Sequence, residues 1–200
     1  MNNSKLLNWS GNPCVIAASG PSLSQEQITA AKAARVIVTN STWRRVESPD
    51  VIYACDFLWW KQYYQEVKQA GLHDRCWTQD RSAAERFQLH YVRSEGRQGL
   101  GLNAIRVNGN SGAGAINLAY LFGCRRILLI GFDMREIDGR KHWHPDHPAP
   151  LVQTQMFREW IHKFMTLASD LKAKGCEVIN CTPGSALQCF PMSTIEKELG

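Results

Sequence analysis

The sequence predicts a single α/β domain in which a mostly parallel sheet is flanked by helices. Three observations carry that expectation. Short β-branched segments alternate with longer segments of helical period along the chain. One segment, RILLI at 126–130, is apolar after its first residue, the pattern of a strand covered on both faces. The 200 residues, 44% of them hydrophobic, suit one core, and no internal repeat or low-complexity linker divides them.

The elements follow in order. After an extension over 1–11, residues 14–18 (CVIAA), 36–39 (VIVT) and 51–55 (VIYAC) are short, apolar and bounded by turn residues, so they read as buried strands. Residues 24–34 are rich in helix formers, and Ser24 and Gln27 have capping-box spacing. FLWWKQYYQEVKQAG, starting at Phe57, reads as a helix closed by Gly71. Its aromatics fall on adjacent stripes, Trp59 with Tyr63 and Trp60 with Tyr64. One stripe suits the core and leaves the other for a partner, so a homo-oligomer is expected.

Residues 75–79, 82–87 and 89–93 read as strand, polar helix and strand. Glycines at 96, 99, 101 and 109 mark 94–110 as a mobile loop. Asn110-Ser111-Gly112 opens a helix over 113–122, and RILLI follows. A second mobile loop, 132–150, is rich in Pro and His. The last helix, 151–174, keeps Trp160, Ile161, Phe164, Leu167 and Leu171 on one stripe, and 177–180 is the final strand.

Charge and cysteine content exclude little but point the same way. A net charge of +5 suits an anionic ligand, yet the basic residues are scattered and do not single out nucleic acid. The opening MNNSKLLNWSGN has no apolar stretch of signal-peptide length, no later segment could span a bilayer, and a cytoplasmic protein is expected. The seven cysteines are odd in number and contain no C-x-x-C, so they read as structural thiols and not as a metal site.

In an open parallel sheet, ligands collect outside the carboxyl ends of the strands. The first strand ends in Ser19-Gly20-Pro21-Ser22, the second in Asn40-Ser41-Thr42, and the third in Asp56. RILLI ends in Gly131-Phe132-Asp133, and the helix before it starts at Ser111-Gly112. Gly20 would let the backbone approach a ligand phosphate, and Ser22 could donate to it or cap. Asn40 offers an amide to a base or ribose, and Asp133 an acceptor for a hydroxyl or a metal. No Walker A loop and no G-x-G-x-x-G turn is present. The competing reading is a tight connection with capped helix starts and no ligand.

SGPSLS, VTN, NSGAGAINLAYLFGCRRILLIGFDM and the ending VINCTPGSALQCFP resemble a Rossmann-like group of enzymes over most of the chain. That group contains bacterial lipooligosaccharide sialyltransferases, motility-associated flagellin glycosyltransferases and archaeal hydroxymethylpterin diphosphokinases. Short phage and prophage proteins of unassigned role are similar too. The resemblance to the sialyltransferases implies that Ser19, Gly20, Pro21, Ser22, Asn40, Ser111 and Gly112, with Asp133 nearby, cradle the CMP part of a nucleotide-sugar. Asp56 has no counterpart there. It also implies a general-base His on a hydroxyl acceptor, from the loop after Gly131-Phe132-Asp133. No cofactor is then required. The pterin kinases imply a different reaction, diphosphate transfer from ATP with Mg2+ on carboxylates such as Asp56 and Asp133. A phage-type nucleotide-binding protein would need no base, and a DNA base remains open as an acceptor.

The loop itself reads KHWHPDHP, with His142, His144 and His147. Imidazole has an ordinary pKa of about 6.5, which suits base work near neutral pH. Pro145 and Pro148 stiffen the chain beside His144 and His147, which favours those two. The spacing with Asp146 also provides enough ligands for a transition ion, and a structural surface loop is the third reading.

Overall fold

The computed structural model describes residues 4–106, 108–145, 147–149, 151 and 156–200. Seven strands form one sheet: β1 (Cys14–Ala17), β2 (Arg35–Thr39), β3 (Val51–Tyr53), β4 (Cys76–Thr78), β5 (His90–Tyr91), β6 (Arg126–Ile130) and β7 (Glu177–Asn180). Every pairing is parallel, in the order β5-β4-β3-β2-β1-β6-β7. The helices are α1 (Gln25–Ala31), α2 (Phe57–Gln69), α3 (Arg81–Phe87), α4 (Ser111–Leu121), α5 (Phe157–Ala173) and α6 (Ile195–Leu199). The protein is a Rossmann-like α/β fold.

Alternation along each strand divides the core in two. Cys14 and Ile16 of β1, with Ile127 and Leu129 of β6, pack under α4 and α5. Val15 and Ala17, with Leu128 and Ile130, pack on the other face against α1, α2, α3 and α6. This is why RILLI carries no polar residue after Arg126: both its faces are covered. On α5, Phe164, Leu167 and Leu171 are buried at helical spacing, each worth about 1.5–3 kcal/mol of transfer free energy.

The chain winds outward from β1 to β5, then crosses by α4 to the other side of β1. The order therefore reverses between β1 and β6. Their registers bring Ala17 level with both Val38 and Ile130, so the turns after β1, β2 and β6 leave the sheet side by side. A crevice at such a reversal is where open α/β sheets hold ligands.

Some elements differ from expectation. Asn40-Ser41-Thr42, expected only as the polar end of the second strand, starts a 3-10 turn, Asn40–Arg44. Helix α6 was not foreseen, although Thr194 caps it by accepting from the Lys197 N–H at 3.4 Å. Leu151, expected to open the last helix, sits in a turn, its N–H donating to Pro148 O at 2.9 Å; α5 starts at Phe157, and 152–155 lie outside the described residues. The 94–110 segment, expected as a mobile loop, is tied down over its first part: Ser94 bridges Ile105, and the buried Asn117 side chain bonds Gly101 at both its N–H and its O, each at 2.9 Å; residue 107 lies outside the described residues.

Helix α2 leaves no aromatic stripe for a partner. Trp59, Trp60 and Tyr63 are buried, and Tyr64 packs on Phe87 with ring centroids 5.0 Å apart. No helix among the described residues is long and apolar enough to cross a membrane.

Candidate functional site

A cavity of about 240 Å3, of small-molecule scale, opens along the carboxyl ends of β1, β2, β3 and β6. Ser19, Gly20, Asn40, Asp56, Ser111, Gly112, Asp133, His142 and His147 all line it. Pro21, Ser22 and His144 do not.

The turn after β1 is locked by its own neighbours. The Gly20 N–H donates to Gly131 O at 2.9 Å, the Leu23 N–H to Gly20 O at 3.2 Å, and the Ser22 N–H to Asp133 Oδ2 at 3.4 Å. These amides were expected to meet a phosphate; they are engaged within the protein instead. Gly20 is required for a different reason from the one its position suggested. A β-carbon there would collide with the Asp133 carboxylate and lie 2.5 Å from Gly131 O. The glycine makes room for Asp133. Moreover, α1 is a seven-residue helix whose cap, Ser24, is closed by the reciprocal bonds of a capping box.

Asp133 is 2% exposed. Burial pushes its carboxyl above the usual range, and the nearby Ser22 hydroxyl and then the Ser22 N–H only partly oppose that shift. The Ser22 hydroxyl adjoins the carboxylate without completing a hydrogen bond, and Oδ1 is buried with no partner among the described residues.

The second half of the site surrounds the start of α4. Asn110 caps that helix, its Oδ1 accepting from the Gly112 N–H at 2.8 Å and the Ala113 N–H at 3.3 Å. Those amides too are satisfied internally. Ser111 Oγ accepts from the Cys55 N–H at 3.4 Å and donates to Asn40 Oδ1 at 3.2 Å, so it ties the ends of β2 and β3 to α4. Gly112 leaves no room for a side chain because Phe132 lies 2.6 Å from its would-be β-carbon. Asn40 and Met134 are both non-glycine residues at positive φ, 48° and 50°, and both line the cavity. Such strain gathers at working sites. Asp56 occupies the N-cap position of α2 but makes no cap bond, and its exposed carboxylate lines the cavity. Beside it, burial and the Asp56 charge push the Cys55 thiol well up, which makes it a poor nucleophile.

The histidine loop is docked at two places. The Trp143 N–H donates to Ser19 O at 3.0 Å, and His142 Nδ1 lies 3.0 Å from Ser19 Oγ. His147 Nδ1 lies 2.7 Å from the Tyr63 hydroxyl. Those contacts orient two imidazoles at the cavity wall. His144, favoured by its flanking proline, stacks on His142 at 5.0 Å and turns Nδ1 to Pro145 O at 2.6 Å. Among the described residues, no three His, Cys, Asp or Glu side chains converge as metal ligands; Asp146 lies outside the described residues.

Several wall residues escaped the sequence reading. Arg106 and Lys141 bring positive charge, Gln79 and Asn108 bring amides, and Trp59, Phe157 and Trp160 bring rings. Only the aromatic pattern of α2 hinted at one of them. The rest come from segments whose local pattern says loop or core face.

No family model matches this chain, and no curated protein matches its sequence.

Proposed function

We propose that the protein binds an activated nucleotide in this crevice, a nucleotide-sugar of the CMP type being favoured, and transfers the sugar to a hydroxyl acceptor by direct displacement. The observation that carries the reading is the meeting of the β1, β2, β3, β6 and α4 ends with His142 and His147 around one cavity. In that reaction an imidazole takes the acceptor proton while the bond from sugar to phosphate breaks. His142 and His147 are the candidates, since His144 lies off the cavity wall. Charge growing on the departing phosphate is offset by Arg106 and Lys141 rather than by the turn amides, which are already bonded.

A Mg2+-dependent diphosphate transfer is the second reading, and it rests on Asp56. That carboxylate stands at the cavity without a capping bond. Asp133 serves it poorly, with one oxygen on the Ser22 N–H and the other buried. A thermal-shift panel of CMP, CDP, UDP, GDP, ADP and ATP, with and without Mg2+, tests both. A ligand at a hundred times its dissociation constant stabilises by about 2.7 kcal/mol. CMP stabilisation without metal supports the transferase, whereas ATP stabilisation only with Mg2+ replaces it by the second reading. Tight binding without turnover on any acceptor would make this a phage-type nucleotide-binding protein. No stabilisation by any nucleotide would overturn the proposal.

A further inference from the structure

Three side-chain amides line one stretch of the cavity, and each has its oxygen committed to the protein. Asn40 Oδ1 accepts from Ser111 Oγ at 3.2 Å. Gln79 Oε1 accepts from the buried Tyr53 hydroxyl at 2.9 Å. Asn110 Oδ1 caps α4. In each case the amide oxygen is the atom held, so the NH2 group is the atom presented. None of these NH2 groups has an acceptor among the described residues, and all three residues are half-buried at the cavity wall. Asn108 shows the contrast: its Oδ1 accepts from the Gly99 N–H at 3.0 Å, and its Nδ2 donates to Gly99 O and Arg106 O at 3.2 and 3.1 Å. That amide is wholly structural.

We infer that Asn40, Gln79 and Asn110 form an oxyanion subsite, in which oriented amide NH2 groups receive the phosphate or carboxylate oxygens of the ligand. A group with only acceptor atoms satisfies every donor, while a base amino group would face donors with a donor. Arg106 and Lys141, which line the same cavity, supply the balancing charge. The subsite differs from a glycine-loop cradle because its donors are side chains. The amides of Gly20, Ser22 and Leu23 are already paired. The inference rests on the nucleotide reading only for the identity of the whole ligand.

The test uses isosteric acids. Asn40→Asp, Gln79→Glu and Asn110→Asp keep the oxygen that accepts from Ser111, Tyr53 or the α4 amides, and each replaces the outward donor by an acceptor that carries negative charge. Binding of inorganic pyrophosphate and of glucuronate is titrated calorimetrically, with Gln62→Glu, on the exposed side of α2, as the control for added charge. Each swap is expected to weaken pyrophosphate binding by about tenfold or more, with an unchanged melting temperature, while Gln62→Glu changes it little. Swap-sensitive binding of glucuronate alone assigns the subsite to a carboxylate instead of a phosphate. If a swap melts early, the neutral variants Asn40→Ser and Gln79→Met are read in the same titration. Absence of binding by both probes, or weakening no greater than in Gln62→Glu, overturns the inference. Swap-sensitive pyrophosphate binding beside a negative nucleotide panel sinks the nucleotide reading and keeps the subsite. Nucleotide binding indifferent to the swaps does the reverse.

Discussion

The carboxylate of Asp133 occupies the space that a β-carbon on residue 20 would need. The two residues lie in the turns after β6 and β1, on either side of the reversal in strand order, and each turn has its shape because of the other. Gly131 completes the lock: it lies at φ 70°, and its carbonyl receives the Gly20 N–H at 2.9 Å.

Even the smallest side chain at residue 20 should therefore damage the fold. Gly20→Ala is expected to lose about 3 kcal/mol or more in urea denaturation, by overpacking against backbone and carboxylate. The double variant Gly20→Ala/Asp133→Ala should recover part of the loss, because one of the two obstacles is gone. A Gly20→Ala protein that melts like the wild type would refute the steric relationship.

Asp133 should cost the protein stability at neutral pH. Its folded pKa is raised, so the folded state binds the proton more tightly than the unfolded chain does. The corresponding stability is present below the ordinary carboxyl value of about 3.9 and is lost as pH rises through the folded value. Asp133→Asn, which cannot ionise, should then have the higher urea midpoint at pH 7, with an advantage that narrows toward pH 4. Equal midpoints at pH 7 would show that the buried carboxylate is better solvated than its 2% exposure implies.

Ser111→Ala should act on the fold before it acts on a ligand. Its hydroxyl joins the Cys55 N–H to Asn40 Oδ1, and removing it leaves both without that partner. A stability loss of about 1–3 kcal/mol is expected, together with weaker ligand binding as Asn40 is freed to turn. Unchanged stability would mean that water replaces the hydroxyl at no cost.

The three histidines should separate. Under the transferase reading, alanine at His142 or His147 lowers turnover by about 10²–10⁴-fold for the one that acts as base, with nucleotide affinity nearly intact. His144→Ala should keep most activity, since that ring faces its own chain and not the cavity. A His144 variant as inactive as the base variant would place the chemistry elsewhere in the loop.

The element types were largely legible because strand and helix periods are local. RILLI coincides with β6 and EVIN with β7, and the capping box of α1 forms as Ser24 and Gln27 imply. The donors of the cavity were less legible. Gln79 matters through Tyr53, 26 residues earlier in the chain, and no pattern around Gln79 announces that bond. Lys141 and Arg106 sit in segments that read as loops, where charge looks like a solvated surface.

The sequence by itself determined that the sheet is mostly parallel and that small, polar and acidic residues stand at the carboxyl ends of its strands. Apolar runs joined by helical segments leave no other economical packing. Only the tertiary structure decided that β6 lies beside β1, so that Asp133 meets Gly20 and the turn amides close on the protein itself. Strand order and the direction of each amide depend on packing between residues far apart in the chain, and such contacts leave no period in the sequence.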